Sequence, residues 1–74
     1  MEDNQNKVTS QALRDMAIGS EKPFALPTRE PYLSRAVNSG KAIAYRLQRE
    51  LECSFRVTTD FDNATMYITK LAKQ

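Results

Sequence analysis

The chain predicts an α+β fold of order α-β-α-β-β, with one long helix packed on a small three-stranded antiparallel sheet. Three observations predict it. Small or apolar residues recur at Leu33, Val37, Gly40, Ala44, Leu47 and Leu51. Their spacing alternates between four and three residues, which draws one stripe on a single α-helix. Two alternating runs, Cys53 to Thr59 and Ala64 to Leu71, flank the turn formers Asp60-Phe61-Asp62-Asn63 and read as an antiparallel hairpin. A short run between Pro23 and Pro27 supplies the third strand.

The elements follow in order. Residues 1–7 offer nothing to bury and read as a disordered tail ahead of a single domain at 8–74. A short helix is expected from Ser10 to Ala17, capped by Thr9 or Ser10, with Leu13, Met16 and Ala17 on one face. With Thr9 as the cap, Val8 and Leu13 occupy the hydrophobic-staple positions. Gly19 stands where a helix exit favours a left-handed residue. Lys22 to Leu26 reads as a short edge strand with Phe24 and Leu26 on one side, because Pro23 lacks a ladder donor and Pro27 ends the run. Its pairing partner is open at this point: the hairpin or another chain.

Thr28 to Pro31 forms the turn into the long helix, about Tyr32 to Glu50, and Pro31 suits a first helical turn because its missing N–H is not needed there. Gly40 weakens that helix by about 1 kcal/mol relative to alanine, yet admits a close neighbour. In the hairpin, Phe55, Val57, Met66 and Ile68 face the core. Arg56, Thr58, Thr65, Tyr67 and Thr69 face away. Lys70 to Gln74 reads as a basic end prone to fraying.

Size and composition restrict the chemistry. The 74 residues hold one small core, and chains this short bury only about 60% of their unfolded surface. A hydrophobic fraction of 41% and a charged fraction of 27% suit an ordinary globular domain. No run approaches the ~20 apolar residues of a membrane-spanning helix, and the start, Met1-Glu2-Asp3, lacks the basic and apolar regions of a secretory signal. The expected compartment is the cytoplasm, with no membrane partner.

Catalytic and metal-binding sets are hard to assemble. There is no histidine, and Cys53 is the one cysteine, so no disulfide forms within the chain and no metal site is expected. Cys53 reads as a buried structural thiol. Asp60 and Asp62 read as turn formers rather than paired acids. Two glycines, Gly19 and Gly40, do not make a phosphate-cradling loop, and Asn38-Ser39-Gly40-Lys41 lies inside the helical pattern. No cofactor and no enzymatic activity are expected.

The charge distribution is more telling than the net of +2. Residues 1–30 carry four cations and five anions; residues 31–74 carry seven cations and four anions. Between Arg35 and Arg49 there are four cations and no acid. On the polar side of the helix, Arg35, Asn38, Lys41, Tyr45 and Arg49 follow one another at spacings of three and four, so they form a row, with Arg46 beside it. Arginine and lysine neutralise phosphates; asparagine reaches phosphates or base edges. Arg56, on the outer face of the hairpin, extends this footprint or forms a separate one. The plain alternative is a solvated face, but helices kept soluble by charge usually interleave acids.

A short helix carrying Leu13-x-x-Met16-x-Ile18-Gly19, then Phe24 and Pro27, Arg35 within a helix, and Phe55-Arg56-Val57 before a closing strand resembles a type of small accessory protein of bacteriophages and prophages. The resemblance spans roughly residues 11–71. It implies a helix, a strand ending in proline, a helix and a β-hairpin, and an accessory or regulatory role near nucleic acid or host machinery in the host cytoplasm. This chain departs from it in a longer acidic tail and in having no tryptophan in its last strand.

The expected function is therefore a small non-enzymatic nucleic-acid-binding or regulatory module, with DNA favoured. Its contacts are Arg35, Asn38, Lys41, Tyr45, Arg46, Arg49 and Arg56. The alternative is a protein-interaction module, either a phage-type modulator or a homodimeric structural protein using the hairpin edge or the helix stripe.

Overall fold

A computed structural model describes residues 8–73, so the tail expected at 1–7 lies outside the described residues. The elements are α1 (Ser10–Arg14), β1 (Glu21–Ala25), α2 (Tyr32–Glu50), β2 (Cys53–Asp60) and β3 (Thr65–Ala72). The three strands form one antiparallel sheet in the order β1-β3-β2. Thus β1 pairs within the chain, and the last strand occupies the centre. Both helices lie on one face of the sheet, giving the expected α+β arrangement.

Local chemistry explains most boundaries. Thr9 caps α1 by accepting the Ala12 N–H at 3.1 Å, and Val8 packs against the core as a staple residue should. The helix stops at Arg14, short of the expected Ala17. Its last carbonyls are taken by a side chain from the sheet: Lys70 Nζ donates to the carbonyls of Leu13, Arg14 and Met16 at 3.2, 3.2 and 2.9 Å. Lys70 is 8% exposed, so the basic end expected from residue 70 is instead ordered strand with an inward lysine. Gly19 adopts φ +91° in the approach to β1, and its N–H bonds to the Lys70 carbonyl.

β1 tolerates Pro23 because of its register. Leu26 donates to the carbonyl of Ala64, which fixes the even-numbered residues as those turned toward β3. Pro23, opposite Tyr67, therefore turns its missing donor toward the open edge. At the start of α2 the Glu30 carboxylate accepts the Ser34 N–H at 3.2 Å and meets one of the unpaired donors there. Glu52 (φ 53°) ends α2 and Ala64 (φ 49°) closes the hairpin turn, both in the left-handed region.

The core sits between the helices and the inner sheet face. Leu13, Phe24, Ala44, Leu47, Met66 and Ile68 are essentially inaccessible, with Val37, Leu26, Cys53 and Phe55 also buried. Leu33, Leu51 and Val57 pack at its margin. Gly40 lies against the sheet so closely that a Cβ there would stand 2.9 Å from Met66 Sδ and 3.3 Å from Val8 Cγ2. At its other end α2 reaches past the sheet: Gln48 Oε1 accepts the Phe55 N–H at 2.8 Å. The helix thus crosses obliquely, from the central strand near Gly40 to the edge of β2 near Gln48. No helix among the described residues is long and apolar enough to cross a membrane.

Candidate nucleic-acid interface

The burial of the Val37–Gly40–Ala44–Leu47 stripe fixes which side of α2 meets solvent. Opposite that stripe, Arg35, Asn38, Tyr45 and Arg49 form the crest of the helix, and all are exposed. Between Arg35 and Arg49 the crest runs about 21 Å at 1.5 Å per residue. Tyr45 is 47% exposed, so its ring flanks the cations rather than filling the core.

Two cations widen the crest. Lys41 lies seven residues before Gln48 and so shares its flank, the side of the helix turned toward β2. Arg46 lies on the other flank and donates to Ser10 Oγ at 3.2 Å, which tethers it toward α1. Glu50 is the sole acid of α2, and its carboxylate is held by Arg14 at 3.0 Å. That pair is half exposed and contributes little to stability. Its consequence is electrostatic: the helix's own acid already has a counter-charge. The structure therefore brings together Arg35, Asn38, Lys41, Tyr45, Arg46 and Arg49 on one surface.

Arg56 does not join them. Its β3 partner is Thr69, and in the antiparallel ladder both side chains point to the face that carries no helix. Arg56 is exposed there beside Thr58, Tyr67 and Thr69, with Glu21 at the far end of the same row bonded to Thr69 Oγ1 at 3.2 Å. A footprint shared by Arg56 and the α2 crest would have to pass around the sheet.

The acidic end of the hairpin is built as a turn. Asp60 accepts the Asn63 side-chain amide at 2.7 Å and the Asn63 backbone N–H at 3.3 Å. The side-chain bond from Asn63, aided by backbone N–H groups of Asn63 and Asp62, holds the Asp60 carboxyl below the ordinary aspartate value of 3.8. A shallow depression at this end is lined by Thr58, Thr59, Asp60, Phe61, Asp62 and Tyr67. Its two carboxylates make it a poor seat for phosphate. Among the described residues no group of three or more metal-ligating side chains converges.

Lys70 is the buried polar residue that the sequence reading missed. Its signal was present in the strand alternation: Met66, Ile68 and Lys70 share one parity, so a strand that buries the first two buries the third. Three carbonyl acceptors and the Phe55 ring, 6.0 Å from Nζ, satisfy the ammonium, which makes it structural rather than a ligand contact. Comparison with known proteins found no protein family, no curated protein and no solved structure matching this chain.

Proposed function

We propose that this protein is a small non-enzymatic nucleic-acid-binding module that contacts the phosphate backbone through the exposed face of α2. The observation that supports this most is the crest itself: four cations over about 21 Å with the helix's one acid already paired to Arg14. Arg35, Lys41, Arg46 and Arg49 neutralise phosphates, and Asn38 and Tyr45 add hydrogen bonds or stacking. Duplex DNA is the favoured ligand, because a helix of about 10–12 Å diameter matches a major groove of about 12 Å. Arg56 plays no part in this surface. Such a module suits an accessory or regulatory role rather than a reaction.

The test is fluorescence anisotropy on short duplex DNA, single-stranded DNA and RNA at two salt concentrations. Four phosphate contacts predict a log–log salt slope of about −3.6 on duplex DNA, so raising salt from about 50 to 200 mM weakens binding roughly 100-fold. The triple substitution Arg35→Ala/Lys41→Ala/Arg49→Ala leaves one of the four cations and lowers the slope to about −1. No binding at low salt, or a variant that binds like the wild type, removes this reading. The surface would then be assigned to a protein partner.

A further inference from the structure

The sheet has two edges, and they are not alike. The β1 edge is five residues long and carries Pro23, whose missing donor faces outward. Both features blunt an edge against pairing. The β2 edge is eight residues long and contains no proline. Its phase is fixed by two observations. Phe55 gives its N–H to Gln48 rather than to β3, and opposite it Lys70 gives its N–H to the Ser20 carbonyl on the β1 side at 2.9 Å. Phe55 and Lys70 are therefore a non-hydrogen-bonded pair, with their backbone groups aimed away from each other. Alternation places Val57 and Thr59 in the same state, with N–H and C=O turned to the open edge. No hydrogen bond from the described residues occupies those groups. The oblique course of α2 agrees with this: Gln48 reaches the β2 edge at Phe55, and the helix lies against Met66 of β3 at Gly40.

We propose that two copies of this chain pair antiparallel through this β2 edge, around a two-fold axis at Thr58, with Val57 of one copy hydrogen-bonded to the partner's Thr59. The register follows by comparing the possible axes. An axis at Arg56 sets that cation against its own copy and requires the Phe55 N–H, which Gln48 holds. An axis at Val57 also requires Phe55, and one at Thr59 sets Val57 against Phe61, which lies outside the strand. An axis at Thr58 uses only Val57 and Thr59, whose backbone groups are available. It also sets Arg56 directly opposite the partner's Asp60, twice, on the uncovered face of the sheet. Opposite charges facing each other across strands stabilise the pair, whereas like charges destabilise it. The edge is thus self-complementary in charge as well as in hydrogen bonding. The same register carries the exposed Phe61, 62% accessible, to the partner's Phe55 end of the strand.

The two-fold axis runs perpendicular to the sheet, so side chains keep their faces and both α2 crests look the same way from a six-stranded sheet. The contact is short, below the ~1,200 Å² of stable interfaces, so association is weak and concentration-dependent.

The test is cysteine cross-linking under mild oxidation, combined with sedimentation equilibrium, in the absence of nucleic acid. Thr58 is exposed on the uncovered face, so Thr58→Cys leaves the core untouched. At a non-hydrogen-bonded pair on the axis the two Cα atoms stand about 4.5 Å apart, within disulfide reach. Thr58→Cys is expected to give a disulfide-linked dimer. Arg56→Cys is expected to give little, because its two copies lie about 13 Å apart, four residues along the strand. The wild type, carrying only buried Cys53, reports the background. Sedimentation is expected to show reversible dimer at about 0.1–1 mM, as befits a short interface. Arg56→Asp should weaken it at least tenfold, and adding an equal amount of Asp60→Lys should restore association by pairing opposite charges. Circular dichroism confirms that each variant is folded. Equal cross-linking at both positions, cross-linking at neither, or a purely monomeric wild type at about 1 mM overturns the proposal.

Discussion

Lys70 holds the N-terminal segment to the sheet. An ammonium buried among apolar neighbours is costly unless its donors are met, and here the last two carbonyls of α1 and that of Met16 just beyond it meet them. α1 is five residues long, too short to persist by itself, so this contact and the burial of Leu13 keep it in place. Replacing Lys70→Met keeps the stem but removes the ammonium from all three carbonyls, of which that of Leu13 keeps the Met16 N–H. A loss of about 2–3 kcal/mol is expected in urea denaturation. In a domain of this size that corresponds to a melting temperature lower by roughly 10–20 °C. A change below about 0.5 kcal/mol would show that water replaces the ammonium. Gly40 tests the packing at the other side of the core. Alanine gains about 1 kcal/mol of helix propensity, but its Cβ meets Met66 Sδ at 2.9 Å. Met66 is fully buried, so its thioether end must shift within a packed core to admit the methyl group, and overpacking costs about 1–3 kcal/mol. The expected net effect of Gly40→Ala is a loss of about 1 kcal/mol; a net gain in denaturation midpoint would contradict the tight approach.

At the scale of elements, periodicity carried the reading. The α2 stripe and the hairpin alternation were legible because each pattern repeats over enough residues to average out exceptions. The Pro23–Pro27 run announced an edge strand by its missing donor. The end of α1 was not legible, since Lys70, which takes its carbonyls, lies 56 residues from Arg14 in sequence. The hairpin turn was placed correctly, but its left-handed closing residue was not foreseen, because alanine gives no signal for φ 49°. That backbone conformation costs an L-residue about 1–2 kcal/mol, which glycine avoids at some expense in unfolded-state entropy. Ala64→Gly is therefore expected to raise stability by about 0.5–1 kcal/mol, read from the denaturation midpoint at unchanged slope. A loss of stability would mean that the methyl group, half-buried against the core, outweighs the backbone strain.

At the scale of the whole molecule the two faces divide the charge. One face presents the α2 crest with its cations, and the other presents the uncovered sheet with Arg56, Tyr67 and the acidic hairpin end. The sequence placed Arg35, Asn38, Lys41, Tyr45, Arg46 and Arg49 together because a single helix fixes their mutual positions. Arg56 was harder to place, since only the three-dimensional layering decides which side of the sheet it occupies. The division makes the proposed function a statement about place as well as affinity. The most direct measurement is an amide ¹H–¹⁵N chemical-shift titration of the protein with a short DNA duplex at low salt. Perturbations concentrated along α2 from Arg35 to Arg49, with Arg56, Thr58 and Tyr67 unmoved, are the predicted result. Shifts centred on the uncovered sheet face, or none at saturating duplex, would contradict it.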